Sequence, residues 1–222
     1  MNTVSRTSRA LGVAFLLQAT TSLASGLIMK LALIVPESIS ESMINIANKP
    51  WLMGANIFGE MITAAGIVFL GAILFVVLRK QNEEMALVGL GLYMLEGALL
   101  AASRIAGFAL LRISQEYVAA GQPASLETMG SLAMGTMNFG YALLMVASGL
   151  GAILLYWLLY KSRVIPRALS LWGLATVPIT LVASVFTIFG FQVPFAVYLP
   201  YVPFEFVVGI WIVVKGISEI RD

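Results

Sequence analysis

The sequence predicts an all-α fold: a polytopic transmembrane bundle of six helices with both termini in the cytoplasm. Three observations lead there. Of 222 residues, 60% are hydrophobic and 11% charged, whereas a soluble domain carries about 25% charged residues. The mean hydropathy of +0.96 leaves too little polar surface for a soluble chain of this length. The apolar residues also fall into runs close to the roughly 20 residues that cross a bilayer, and basic residues gather at alternate ends of those runs.

Helix 1 is expected over Arg9–Val35, because its apolar run continues well past the length of a signal-peptide core. Helix 2 runs from Trp51 to Leu78, between Pro50 and the Arg79-Lys80 pair. Helix 3 covers Met85–Ile113 and helix 4 covers Ser131–Tyr160. Helix 5 covers Ala168–Phe189 and carries Pro178, which should kink it. Helix 6 is expected over Ala196–Ile217, with Pro203 as a second candidate for its start. Loops are expected at Pro36–Pro50, Ser114–Gly130 and Gly190–Tyr198. The whole chain, 1–222, reads as one domain. A short basic echo, Ser5-Arg6…Arg9-Ala-Leu against Ser162-Arg163…Arg167-Ala-Leu, suggests a weak internal repeat; two helices entering from one side explain it equally well.

Three carboxylates interrupt the apolar runs: Glu60, Glu96 and Glu205. An ionised group in hydrocarbon costs several kcal/mol unless paired or hydrated. Arg104 and Lys30 are the nearest candidate partners in the same layer, with Arg112 closer to a helix end. Helical spacing puts Asn56, Glu60 and Thr63 on one face of helix 2. Gly89, Tyr93, Glu96, Leu100, Ser103 and Gly107 form one seam of helix 3, and Asn138, Tyr141, Met145, Ser148 and Ala152 one seam of helix 4. Thr176, Thr180, Ser184 and Thr187 line helix 5. The candidate ligand-binding or ion-network residues are therefore Glu60, Glu96, Arg104, Glu205, Lys30, Asn56, Tyr93 and Asn138, grouped around one cavity. Small residues at such spacings are more often packing positions, and Ser and Thr can bond their own helix. Glu205, in the first turn if Pro203 opens the helix, could be a cap. Trp51, Tyr156, Trp157, Tyr160 and Trp172 fall where interfacial aromatic belts are expected.

The chain has no cysteine and no histidine, which removes disulfides, imidazole metal ligation and Ser-His or Cys-His catalysis. No catalytic residue, metal ligand set or cofactor is read from the sequence, and no nucleic-acid patch. Partners reduce to the lipid bilayer and a small-molecule ligand, with homo- or hetero-oligomers left open. Three carboxylates against two cations leave one acid in excess, which favours a site that binds or moves a small molecule or proton. The alternatives are a structural or regulatory membrane partner with a buried ion-pair network, and the substrate-binding subunit of a larger importer. An intramembrane enzyme is disfavoured because no nucleophile–base pair is visible.

Several segments resemble a bacterial family, domain of unknown function 4386. They are Arg6…Arg9-Ala-Leu-Gly12, Glu96, Ser114-Gln-Glu-Tyr-Val118, Tyr160-Lys-Ser-Arg-Val-Ile-Pro-Arg-Ala-Leu-Ser-Leu-Trp-Gly173 and Glu205…Trp211-Ile-Val-Val-Lys-Gly216. The Ile-Pro-Arg-x-Leu-Ser-x-Trp-Gly run is the most specific. The resemblance implies a six- or seven-helix protein of the bacterial cytoplasmic (inner) membrane, and supplies no catalytic residues.

Orientation follows from charge. Arg6, Arg9, Arg79, Lys80, Lys161, Arg163, Arg167, Lys215 and Arg221 flank one side, and the opposite loops hold Lys49 among Glu37, Glu41, Glu116 and Glu127. A cysteine placed at Ser125 in the cysteine-free chain should therefore react with an impermeant maleimide in intact cells. Labelling only after permeabilisation would reverse the orientation.

Overall fold

The computed structural model describes residues 6–218. Ser5 and Arg221, used above for the repeat and the charge count, lie outside the described residues. Among the described residues there is no β-strand, and seven α-helices make up the bundle. They are α1 (Arg6–Ile28), α2 (Ile39–Asn48), α3 (Pro50–Leu78), α4 (Glu83–Ala119), α5 (Ala124–Ser162), α6 (Arg167–Ile188) and α7 (Val202–Lys215). A π-helical turn, Met29–Leu33, extends α1, and a 3₁₀ turn, Phe195–Tyr198, precedes α7.

Five helices are long and apolar enough to cross a membrane: α1 with its π turn, α3, α4, α5 and α6. Large apolar side chains point outward along them, as with Phe58, Phe69, Ile105 and Leu132, each at least half exposed. Outward apolar surface on this scale belongs to a lipid-facing protein. The chain is a membrane helical bundle. The last helix is shorter than expected. With 14 residues, α7 rises about 21 Å, because Pro203 sets its start.

The outer loops are also less open than the sequence suggests. The Pro36–Pro50 connection contains α2, whose Ser38 cap accepts a hydrogen bond from the Glu41 backbone N–H at 3.2 Å. Its buried Met43 and Ile46 join Leu33, Met53, Leu110, Tyr117, Ala133 and Met137 in a separate apolar cluster. The Ser114–Gly130 connection is mostly helix: α4 continues to Ala119 and α5 starts at Ala124. Gly121 and Gln122, at φ 77° and 64°, make the tight reversal. A search for 20-residue apolar spans misses these pieces because they are short, amphipathic and stabilised by α2 packing on α4.

Neighbouring helices pack in a closed circuit. α1 packs on α3, α3 on α4, α4 on α5 and α5 on α6, and α7 returns to α1. The α6–α7 contact is the sparsest of the circuit, and α7 packs chiefly on α1. Two glycines explain that preference. A Cβ on Gly12 would stand 2.6 Å from Val213 Cγ2 and 2.9 Å from Gly209 O. A Cβ on Gly209 would stand 2.8 Å from Leu16 Cγ and 3.2 Å from Gly12 O. Small residues let two backbones approach closely in hydrocarbon. The Thr176, Thr180 and Ser184 hydroxyls on α6 are buried and donate to their own helix, to Trp172 O, Val177 O and Thr180 O at 2.9, 2.9 and 2.8 Å. Those hydroxyls are satisfied within α6.

Gly12→Ala should destabilise the bundle by about 1–3 kcal/mol, the usual cost of overpacking, because backbone atoms cannot move aside. Gly26→Ala, with nothing within 4 Å of the added carbon, should be neutral or slightly stabilising. Thermal unfolding of both variants in detergent checks the difference.

Candidate functional site: two buried acid clusters

The first cluster lies between α3 and α4. Asn56, Glu60 and Thr63 share the buried face of α3, as their spacing predicts. Asn56 Nδ2 donates to Ser25 O at 2.8 Å, and the Thr63 hydroxyl donates to Thr21 Oγ1 at 2.7 Å. Both bonds tie α3 to α1. Glu60 is 5% exposed and Arg104 on α4 is 6% exposed. Their charges attract across a gap, without a contact ion pair. Arg104 donates instead from Nε and Nη2 to Ser103 Oγ, at 3.1 and 2.9 Å. Arg104 is therefore the cation nearest in effect to Glu60, and Ser103 holds it in place.

The second cluster lies among α1, α4, α5 and α7. Glu96 is 8% exposed and stands near the Ser148 hydroxyl of α5. Glu205, in the first turn of α7, accepts a hydrogen bond from the Tyr201 hydroxyl at 2.9 Å. Tyr201 Oη lies 3.0 Å from Tyr156 Oη. Tyr93 approaches Tyr156 more loosely. Gln18 of α1 faces Glu205, yet its Nε2 stays short of hydrogen-bond geometry and has no other partner. Among the described residues, the side chains that act on Glu96 are Ser148 and Glu205, and those that act on Glu205 are Gln18 and Tyr201.

Glycines make room for the tyrosines. A Cβ on Gly71 would lie 2.9 Å from Tyr93 Cβ, and one on Gly151 would lie 2.8 Å from Tyr93 Cδ1. The Tyr156 ring fills the space left by Gly173, where a Cβ would come 2.7 Å from Tyr156 Cδ2. Phe204 meets Tyr156 edge-to-face with centroids 5.0 Å apart. The hydroxyls are thus placed by ring packing, and they carry the acids.

The structure separates several residues that the sequence grouped. The electrostatic interactions of these residues fall into two sets, Glu60 with Arg104 and Glu96 with Glu205, and Tyr141 is within electrostatic reach of all four. Lys30 is exposed on the π turn, and Asn138 is exposed on α5. Tyr93, Glu96 and the rest of the predicted α4 seam are buried as a set. Tyr156, expected at the interface, is 0% exposed. The sequence reading missed Tyr156, Tyr201, Gln18 and Ser148 as partners of the acids. Signals existed for two of them: Tyr201 precedes Glu205 by one helical turn, and Gln18 is a lone amide in an apolar run. Among the described residues, no three acidic side chains gather closely enough to hold a metal ion. Two open surface hollows lie elsewhere. One, of about 370 Å³, is lined by Arg163, Arg167 and Trp211, and the other, of about 490 Å³, by Pro178, Phe186 and Val197.

The model of a protein family described as Domain of unknown function (DUF4386) matches residues 10–216. The chain belongs to this family. No curated protein and no solved structure matches it. The match takes in every residue of both acid clusters in this DUF4386 bundle, from Gln18 to Glu205.

The division of roles predicts a specific double-mutant result. Arg104→Ala should destabilise the DUF4386 bundle by about 3 kcal/mol, because Glu60 loses its countercharge in a buried site. Adding Glu60→Gln should restore part of that loss, whereas adding Glu96→Gln should not. Unfolding midpoints of the single and double variants measure the coupling.

Proposed function

We propose that this protein is a multi-pass protein of the bacterial inner membrane, with six spans and cytoplasmic termini, that binds or moves a small molecule or proton at its buried acids. In this reading α7, together with the Gly190–Tyr201 connection, supplies the sixth crossing. The alternation of basic flanks supports the orientation. The functional part is the Glu96–Glu205 cluster. The observation that carries the proposal is the contrast between the two clusters. Glu60 has a cation in Arg104. Glu96 and Glu205 have hydroxyl groups, an underused amide and each other. A network built only for stability has no use for two neighbouring acids without a cation, since each adds desolvation cost. An occupant that brings positive charge removes that cost.

A second reading applies to the other half. The Glu60–Arg104–Ser103 group has the features of a structural charge network, which sets the register of α3 against α4. The notion of an importer subunit draws no specific support from these clusters.

The test uses the purified chain in proteoliposomes, with an interior pH dye and an imposed gradient. The wild type should take up protons or a monovalent organic cation. Glu96→Gln and Glu205→Gln should abolish uptake while leaving the unfolding midpoint near the wild-type value. Glu60→Gln should chiefly lower stability. A wild type with no uptake, and Gln variants that lose only stability, would leave the whole acid set structural.

A further inference from the structure

We propose that Tyr93, Tyr156 and Tyr201 form a hydroxyl relay that carries a proton between Glu96, inside the bundle, and Glu205, at its surface. This rests on the reading of the Glu96–Glu205 cluster as a functional site, and it commits the occupant to a proton.

The geometry of the chain comes first. Tyr201 donates to Glu205 Oε1 at 2.9 Å, and its oxygen lies 3.0 Å from Tyr156 Oη. A phenol has a single O–H. With Tyr201 donating to Glu205, Tyr156 must be the donor to Tyr201. Tyr93 follows behind Tyr156, and Glu96 stands one helical turn from Tyr93 on α4, its charge acting on that hydroxyl. The Tyr156 and Tyr201 hydroxyls thus point in one direction, toward Glu205, with Tyr93 next to Tyr156 on the inner side.

Exposure gives the chain two distinct ends. Tyr93 and Tyr156 are 4% and 0% exposed. Tyr201 and Glu205 are only half-buried, so a proton can enter or leave at Glu205. Glu96 is reached only through the protein. Gln18 adds a polar neighbour at the outer end: its side chain is 6% exposed and its amide interacts with Glu205, just outside strict hydrogen-bond geometry, so a small rotation of the carboxylate completes or breaks that bond.

Packing argues against a larger occupant. The rings are wedged against Gly71, Gly151 and Gly173 at distances that leave no space for an added carbon. A proton needs no cavity, only continuous oxygens.

The step balances without any co-reactant. Glu96 turns from Ser148 toward Tyr93 and gives its proton to the Tyr93 oxygen. Tyr93 passes its own proton to Tyr156, Tyr156 to Tyr201, and Tyr201 to Glu205 Oε1. Each phenol breaks one O–H bond and forms one, Glu96 ends as carboxylate and Glu205 as acid. The chain then points the other way, and the reverse sequence resets it. The groups that face this path are Glu205 on α7 and Tyr201 just before it, Glu96 and Tyr93 on α4, and Tyr156 and Tyr141 on α5, with Gln18 on α1.

The experiment is time-resolved infrared difference spectroscopy of the full chain in proteoliposomes after a pH jump. The carboxyl C=O bands are assigned with Glu96→Gln and Glu205→Gln. In the wild type both acids should exchange protons. Tyr156→Phe and Tyr201→Phe keep both acids and the rings' packing but remove one oxygen each. Either should slow exchange at Glu96 at least tenfold, and Tyr156→Phe, whose oxygen does not touch Glu205, should leave Glu205 exchange at the wild-type rate. Tyr198→Phe, outside the chain of oxygens, should change neither. Wild-type exchange at Glu96 in both Tyr156→Phe and Tyr201→Phe would overturn the relay and leave the acid site standing. Absence of exchange at both acids in the wild type would overturn the relay and the acid site together. If Tyr156→Phe fails to fold, the half-buried Tyr201 position decides the question alone.

Discussion

Acids in a hydrocarbon-facing bundle must find a countercharge, hydrogen bonds or a proton, and that requirement organises this protein. Three carboxylates are present on helices that otherwise bury apolar residues. The bundle answers in two ways. Glu60 has Arg104 nearby, fixed through Ser103. Glu96 and Glu205 have hydroxyl groups drawn from α5 and α7. The first answer neutralises charge. The second only solvates it, and so leaves the acids responsive to a proton or cation.

The second answer depends on glycine. A tyrosine hydroxyl reaches a buried acid only if its ring can enter the interface between two helices. Gly71 and Gly151 admit Tyr93, and Gly173 admits Tyr156. The α1–α7 crossing through Gly12 and Gly209 brings Gln18 to the same place. Close approach of backbones and placement of polar oxygens are therefore one design. A methyl added at these glycines would disturb packing and chemistry together.

A separate apolar cluster occupies the other end of the bundle. There α2 packs on the extended end of α4, and Ser40 and Tyr117 share a hydrogen bond of 2.8 Å. Lys49 donates to Ala32 O at 3.2 Å and ties the end of α2 to the π turn. This layer gives α4 and α5 support beyond the membrane-length segments. It has no acid pair of its own at its core.

The sequence by itself determined the helical membrane class, the family and the faces of α3 and α4. Long apolar runs have no other stable state in lipid, and one helix carries its own periodicity. Asn56, Glu60 and Thr63, and the whole Gly89–Gly107 seam, were legible for that reason. The tertiary structure decided which acid has which partner. Arg104 reads equally well beside Glu60 or Glu96 along the chain, and the exposed position of Lys30 on the π turn is not visible in its spacing. Tyr156 looks like an interfacial aromatic until α6 and α7 close over it. Asn138 looks internal until the rotation of α5 turns it outward. Helix rotation and crossing are set by contacts between residues far apart in sequence, such as Gly12 with Val213 or Gly173 with Phe204. Periodicity within a single helix contains none of that information.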